Sequence, residues 1–378
     1  MIQQSLEGES DLGKQERFWI GFGLCTVFIL VSLLHYGVSS IRDEVTKAQL
    51  KAEGAAPEED TFNEYGLPKG QTLSEKVLYE SEKYRVYSDR VLKRYLAVRN
   101  AGENIAAQVN GIRSGLSKAG FSDIPVTIVA VPVRITCEND SQTDITAYKA
   151  HMKQVKNAVS GTAFVCDPQN SISSLIGEKY VFYRTDESWT LIGAYYGYKE
   201  LCKELGIGAK DLDAAPVMNQ NDFYGNEYMM FSQQEATRQV KNKMTGMTED
   251  IFVWLHSDTF LDREIQYDFT EGTEIRRPVI LYSVMGSSSV VGGSFDYALC
   301  DGNGSDGIIL IADSAGTMLA PYLCENFGRV CVVNITGYGG FYKDLGRLVR
   351  ENNIKHIVIA QLADRIGDRA YSKAINVK

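Results

Sequence analysis

The chain has no run of clustered lysine and arginine, no CxxC pair and no grouping of cysteine with histidine. The first absence, together with a net charge of −9, argues against nucleic acid as a partner, because a phosphate backbone is gripped by concentrated positive charge. The other two argue against a structural zinc site, and no pattern calls for a metal or an organic cofactor. The seven cysteines are scattered, and a domain of this size requires no disulfide framework. Internal repeats and low-complexity tracts are lacking as well.

Charge itself is missing from one long stretch. Phe18–Val38 contains no Asp, Glu, Lys or Arg, and at about 1.5 Å rise per residue it spans a hydrocarbon core of about 30 Å. Trp19 near one end and Tyr36 with His35 near the other suit the two interfaces. The run is long for a cleaved signal core, and no small-x-small site closes it. We therefore expect a 1–17 tail, a transmembrane signal anchor at 18–38, a polar juxtamembrane stalk at 39–70 and a folded domain at 71–378. Lys14 and Arg17 before the anchor balance Arg42, Lys47 and Lys51 after it, so charge does not orient the span. The short tail and the long following domain make N-inside the expected topology.

After the anchor, periodicity outlines an α/β domain. Apolar residues from Thr72 to Ala119 recur at helical spacing, which predicts two helices, or one broken near Asn100–Gly102. IPVTIVAVPV at 124–133 and TAFVCDP at 162–168 read as buried strands, with a helical period between them from Ser141 to Val159. Residues 179–206 give a strand, a polar turn and a helix from about Ile192 to Gly206. DIFVWLH at 250–256 and RPVILYSVM at 277–285 read as strands, and 286–293 as a loop. The tail alternates strand, helix, strand, helix, strand from Gly307 to Asp364, which means parallel strands joined by helical crossovers.

Functional groups in such sheets gather where strands end and helices begin. Asp313 and Ser314 stand where an apolar strand stops, and small Ala315 and Gly316 let the next helix start close by. A serine there is placed for nucleophilic attack; the plainer role for either residue is to cap the helix. Asp186 follows the strand at 179–183 and precedes Trp189 and Gly193-Ala194, a turn that an aspartate also commonly caps.

Taken together, these segments resemble the bacterial DHHW proteins, relatives of SGNH hydrolases and of the periplasmic O-acetyltransferases that modify alginate. The family's Thr-Asp-His-His-Trp-Thr and Gly-Ala-Tyr-Tyr are matched by Thr185-Asp186-Glu187-Ser188-Trp189-Thr190 and Gly193-Ala194-Tyr195-Tyr196. Its Lys-Asp-Ser block and following Pro-Phe-Leu are matched by Asp313-Ser314 and Pro321-Tyr322-Leu323, its Gly-Asn pair by Gly302-Asn303, and its Phe-Tyr-Gly by NDFYG at 221–225. The likeness runs in order over residues 120–378.

The resemblance implies an SGNH-hydrolase-like parallel sheet flanked by helices, and acyl transfer through serine. It makes Ser314 the nucleophile, Asp186 the acid that orients a histidine, and Gly302 and Asn303 the oxyanion hole. Trp189, Tyr195 and Tyr196 become substrate contacts, although tyrosine clusters also pack cores. The histidine's own position, two residues after the aspartate, holds Ser188. A hydroxyl does not shuttle protons near neutral pH as imidazole does, and that transfer contributes about 10²–10⁴-fold. Of the other histidines beyond the anchor, His151, His256 and His356, only His256 reads as a displaced base. Two functions follow. One is an O-acyltransferase or esterase of envelope polysaccharide, supplied by an acyl donor system or a membrane-bound acyltransferase partner. The other is an inactive relative that binds glycan or holds such a partner. Both place the domain outside the cytoplasm.

Overall fold

The computed structural model describes residues 62–138, 141–255, 264–268, 274–278, 297–335 and 341–371. Phe18–Val38 and His256 lie outside these residues, as does the 286–293 segment; among those described, no helix is long and apolar enough to cross a membrane.

The chain opens with a meander of three short strands, β1 (Tyr79–Glu80), β2 (Tyr84–Val86) and β3 (Val91–Lys93). Then come α1 (Ala101–Lys118), β4 (Val126–Val131), α2 (Gln142–Ala158), β5 (Phe164–Cys166) and α3 (Leu191–Leu205). A two-stranded ribbon, β6 (Val217–Phe223) with β7 (Asp250–Leu255), encloses α4 (Asn226–Gln234). The rest is β8 (Glu264–Asp268), β9 (Glu274–Pro278), β10 (Tyr297–Asp301), β11 (Gly307–Ala312), β12 (Arg329–Asn334), α5 (Phe341–Glu351) and β13 (Ile354–Leu362).

The main sheet has eight described strands in the order β5-β4-β13-β11-β12-β10-β8-β9. Its first five are parallel, as the apolar runs predict, and β4 and β11 are buried along their whole length. The remaining pairings are antiparallel, so the sheet is mixed rather than the parallel sheet expected. One reason is length: only five residues separate β8 from β9, too few for the crossover that parallel neighbours need.

Three further expectations change. The stretch from Thr72 holds one helix, α1, preceded by the meander. Its apolar residues mimic a helical period, but tight turns at Ser81–Tyr84 and Tyr87–Arg90 fold it into strands. The strand expected at 179–183 shrinks to a single bridge, Phe182 with Trp189. The helix expected after Ser314 is a 3-10 turn (Gly316–Leu319) followed by one α turn (Ala320–Leu323). At the end of the stretch read as a stalk, Leu67 is buried and Gly66 sits against the Tyr180 ring, where any Cβ would collide.

Register puts one edge of the sheet in view. Ala312, which ends β11, pairs with Asn334 of β12 and Ala360 of β13, so these strands finish together. Residues 313–316 and 363–365 therefore leave the sheet side by side. Thr190 starts α3 at the same region: its hydroxyl accepts the Gly193 N–H (3.2 Å) and donates to the Tyr180 carbonyl (2.6 Å). At the other end Gly206, at φ 69°, closes the helix in the left-handed conformation. We predict that Thr190→Ala costs about 1–2 kcal/mol of stability, read from urea denaturation with the slope unchanged.

Candidate functional site

The motif around Asp186 is a closed loop. Thr190 N–H donates to the Val181 carbonyl (3.0 Å), and Phe182 bridges Trp189, so residues 183–188 project as a turn. What fixes the turn is a residue the motif does not contain. Asp250, at the start of β7 and fully buried, accepts the Tyr180 hydroxyl (2.7 Å), the Arg184 N–H (3.0 Å), and the Thr185 N–H (2.7 Å) and hydroxyl (2.5 Å). The guanidinium of Arg184, also fully buried, lies 3.4 Å from the same carboxylate. Its Nη atoms reach the carbonyls of Asp89, Thr248 and Glu249. Asp250 stands 64 residues from Asp186, and its own neighbourhood reads only as a strand start, so no local signal marks it.

Within the turn, Asp186 is buried and accepts the N–H groups of Ser188 (2.9 Å) and Asn226 (3.0 Å). Burial pushes its pKa up, and these amides together with the Ser188 hydroxyl pull against that rise. Gly225 makes the second amide contact possible: a Cβ there would lie 2.5 Å from the Asp186 Cβ and from the Thr185 carbonyl oxygen. This gives the Phe-Tyr-Gly segment a physical role, as a clamp across the aspartate.

Ser314 follows β11 and is exposed, while Asp313 and Ala315 on either side are buried. The capping function therefore falls to Asp313. Its carboxylate accepts Gly316 N–H (2.9 Å) and Leu362 N–H (2.9 Å), tying the 3-10 turn to the end of β13. Burial lifts Asp313 to about 6, opposed by those two amides and by Arg365. Gly316 has no room for a side chain, since a Cβ would sit 2.3 Å from the Ala360 carbonyl oxygen.

The two segments meet. The Trp189 indole donates to the Ala315 carbonyl (3.0 Å), and the Tyr322 hydroxyl donates to the Leu191 carbonyl (2.6 Å). The structure thus docks the Asp186 turn on the Ser314 turn. Trp189 is wholly buried beneath Gly197 and does not face a substrate. Tyr195 is likewise core, its hydroxyl bridging the Lys210 carbonyl and the Leu212 N–H, and the Tyr196 hydroxyl donates to Asp213 (2.9 Å). The expected substrate contacts at 189 and 195 are corrected to packing, and Tyr196 is drawn to the loop at 210–213. In a helix, residues three apart share a face, so Tyr195 and Tyr198 go inward together.

Gly302 and Asn303 are a second correction. They follow Asp301, which pairs with Arg329 where β11 begins, whereas Ser314 follows the far end of that strand. Six residues of strand rise about 20 Å. Their N–H groups are also engaged, on the carbonyls of Gly328 (2.9 Å) and Cys324 (2.8 Å). Neither residue is an oxyanion donor for Ser314.

Two histidines, His151 and His356, lie among the described residues. His151 is buried, its ring nitrogens on the Tyr95 hydroxyl (2.6 Å) and the Ile366 carbonyl (3.1 Å). His356 pairs with Ile308 near the start of β11, beside Phe327.

Around Glu187 stands a charged network that no local pattern in the sequence marks. Glu187 is paired with Lys93 of β3 (2.6 Å) and with Arg365, which follows β13. Lys93 also pairs with Asp364 (3.1 Å). Burial works against the Lys93 charge, but Asp364 and Glu187 more than offset it and hold the ammonium above its usual value. Glu227 is buried in the first turn of α4; burial first, then the neighbouring Glu187 carboxylate, lift it to about 8.

The site is thus a serine exposed at the end of a central parallel strand of an α/β domain, with an aspartate-bearing turn docked against its turn. The sequence model for DHHW proteins matches residues 70–333, and the chain belongs to that family. A crystal structure of a DHHW family protein from Eubacterium siraeum covers 80% of this chain and 98% of its own, at 16% identity and a TM-score of 0.64. PatB1 of Bacillus cereus, solved with a sulfonyl adduct, covers 76% of this chain and 97% of its own, at 11% identity and a TM-score of 0.56. The O-acetyltransferase domain of Pseudomonas putida AlgJ covers 77% and 97%, at 12% identity and a TM-score of 0.42. No curated protein sequence matches the chain.

Because Glu227 ionises near 8 in the folded state and near 4.5 when unfolded, the folded state alone holds this proton between those values. Stability is therefore present below pH 4.5 and lost as pH rises through 8. We predict that Glu227→Gln flattens this fall, leaving the variant more stable than the parent at pH 9 by on the order of a few kcal/mol. Urea midpoints across pH 5–9 measure it.

Proposed function

We propose that the protein is a membrane-anchored, serine-dependent O-acyltransferase or esterase of the cell envelope, acting on envelope polysaccharide. The observation that carries this reading is the exposed Ser314 hydroxyl on a turn joined to the Asp186 turn through Trp189 and Ala315. In this reading Phe18–Val38 is the anchor, the domain faces outward, and an acyl donor delivered at the membrane supplies the group transferred. Ser314 Oγ attacks the acyl carbonyl of the donor, the donor's acyl bond breaks and its alcohol or thiol leaves, and the acyl-enzyme passes its group to a sugar hydroxyl or to water, which frees the serine. Without an imidazole at Ser188, water or the substrate takes the serine proton, and turnover is slow by about 10²–10⁴-fold. The sulfonyl adduct known for PatB1 is consistent with a nucleophile in this fold, since sulfonyl groups trap nucleophiles.

A second reading is a catalytically inactive glycan-binding or scaffold protein. It is favoured by the way Glu187 is used, since its carboxylate is held by Lys93 and Arg365.

One series separates the readings. The purified full chain should hydrolyse a small acetyl ester slowly, lose that activity on Ser314→Ala, and gain about 10²-fold or more on Ser188→His. A silent parent that gains activity only with Ser188→His indicates an enzyme that has decayed. Activity that survives Ser314→Ala removes the serine assignment altogether.

A further inference from the structure

We propose that Cys300 and Cys324 become joined by a disulfide when the chain folds under oxidising conditions. Cys300 lies in β10 and Cys324 directly after the Ala320–Leu323 turn, 24 positions later, and both are completely buried. Their sulfurs stand 3.1 Å apart.

The main chain supports the pairing independently of the sulfurs. Two residues beyond Cys300, the Gly302 N–H donates to Gly328; the next residue, Asn303, donates to the Cys324 carbonyl itself (2.8 Å). Gly302 is so close that a Cβ on it would lie 2.7 Å from that same carbonyl oxygen. The two segments are thus laced together whether or not the sulfurs bond. The register also rules out the nearest alternative. Cys331 pairs with Leu299, and since successive strand residues point to opposite faces, Cys331 points away from Cys300.

Oxidation needs an electron acceptor, and a dithiol–disulfide oxidoreductase or oxidised glutathione supplies one. One cysteine thiolate attacks the acceptor disulfide and forms a mixed disulfide; the other then displaces the acceptor thiol. Two protons and two electrons leave the cysteine pair, and the acceptor disulfide becomes two thiols. Both sulfurs are sealed in the folded core, so exchange takes place before the core closes. The finished bond is equally sealed from reductant.

The loop enclosed by this bond contains β11 and Ser314. It fastens the antiparallel half of the sheet to the helical turn behind the serine, and this holds whether or not the serine is catalytic.

The test is a thiol count on the full chain, refolded from urea in a glutathione redox buffer, acid-quenched and denatured without reductant. Five of the seven cysteines should react with a thiol reagent, rising to seven after reduction, and peptide mapping should recover Cys300 linked to Cys324. Cys300→Ser and Cys324→Ser should each leave all six remaining cysteines reactive. Seven reactive thiols in the refolded parent, or a linkage between other cysteines, overturns the proposal. The parent measurement stands even if a variant fails to fold, and it is independent of esterase activity.

Discussion

The buried pair of Arg184 and Asp250 is the contact on which the arrangement of this domain depends. Both side chains are fully buried, so each charge must find its compensation inside the protein. Asp250 gathers its donors from Tyr180, Arg184 and Thr185, while Arg184 reaches carbonyls at Asp89, Thr248 and Glu249. The meander, the motif turn and the start of β7 are thereby fixed to one centre. Removing a single partner from such a pair typically costs about 3–5 kcal/mol, because the other charge stays behind uncompensated. The motif loop has almost no regular hydrogen bonding of its own, and its shape is borrowed from this centre.

Much of this was legible in the residue pattern, and the misses share a cause. The parallel strands announce themselves because burial on both faces demands unbroken apolar runs, as in Val126–Val131 and Gly307–Ala312. The turn positions of Ser314 and Asp186 could be read because strand ends and local motif order survive in one dimension. Asp250 could not, since its role depends on a contact across 66 residues with Arg184. Gly302 and Asn303 misled because proximity to Ser314 in sequence hides the strand that separates them. Tyr195 and Trp189 misled for another reason: residue type signals amphipathicity, and only packing tells which end is covered.

Glu187 and Ser188 follow Asp186 in the motif turn, and the contacts of Glu187 reach well beyond the motif. A carboxylate at a buried position needs cations, and here Lys93 from the meander and Arg365 from the sheet edge supply them. Asp364 and Glu227 then join, one beside the lysine and one beside the Glu187 carboxylate. The result is a local network whose members come from four separate parts of the chain. Such a network contributes position and stiffness more than net energy, since desolvation cancels much of its Coulombic gain.

The Asp313 carboxylate binds the serine's turn to β13, and Trp189 grips the next residue's carbonyl. Ser314 is thus bare to solvent while its two neighbours are immobilised. The backbone that carries this side chain is set when the domain folds, so a group arriving there meets a turn already fixed and not one that must still be ordered.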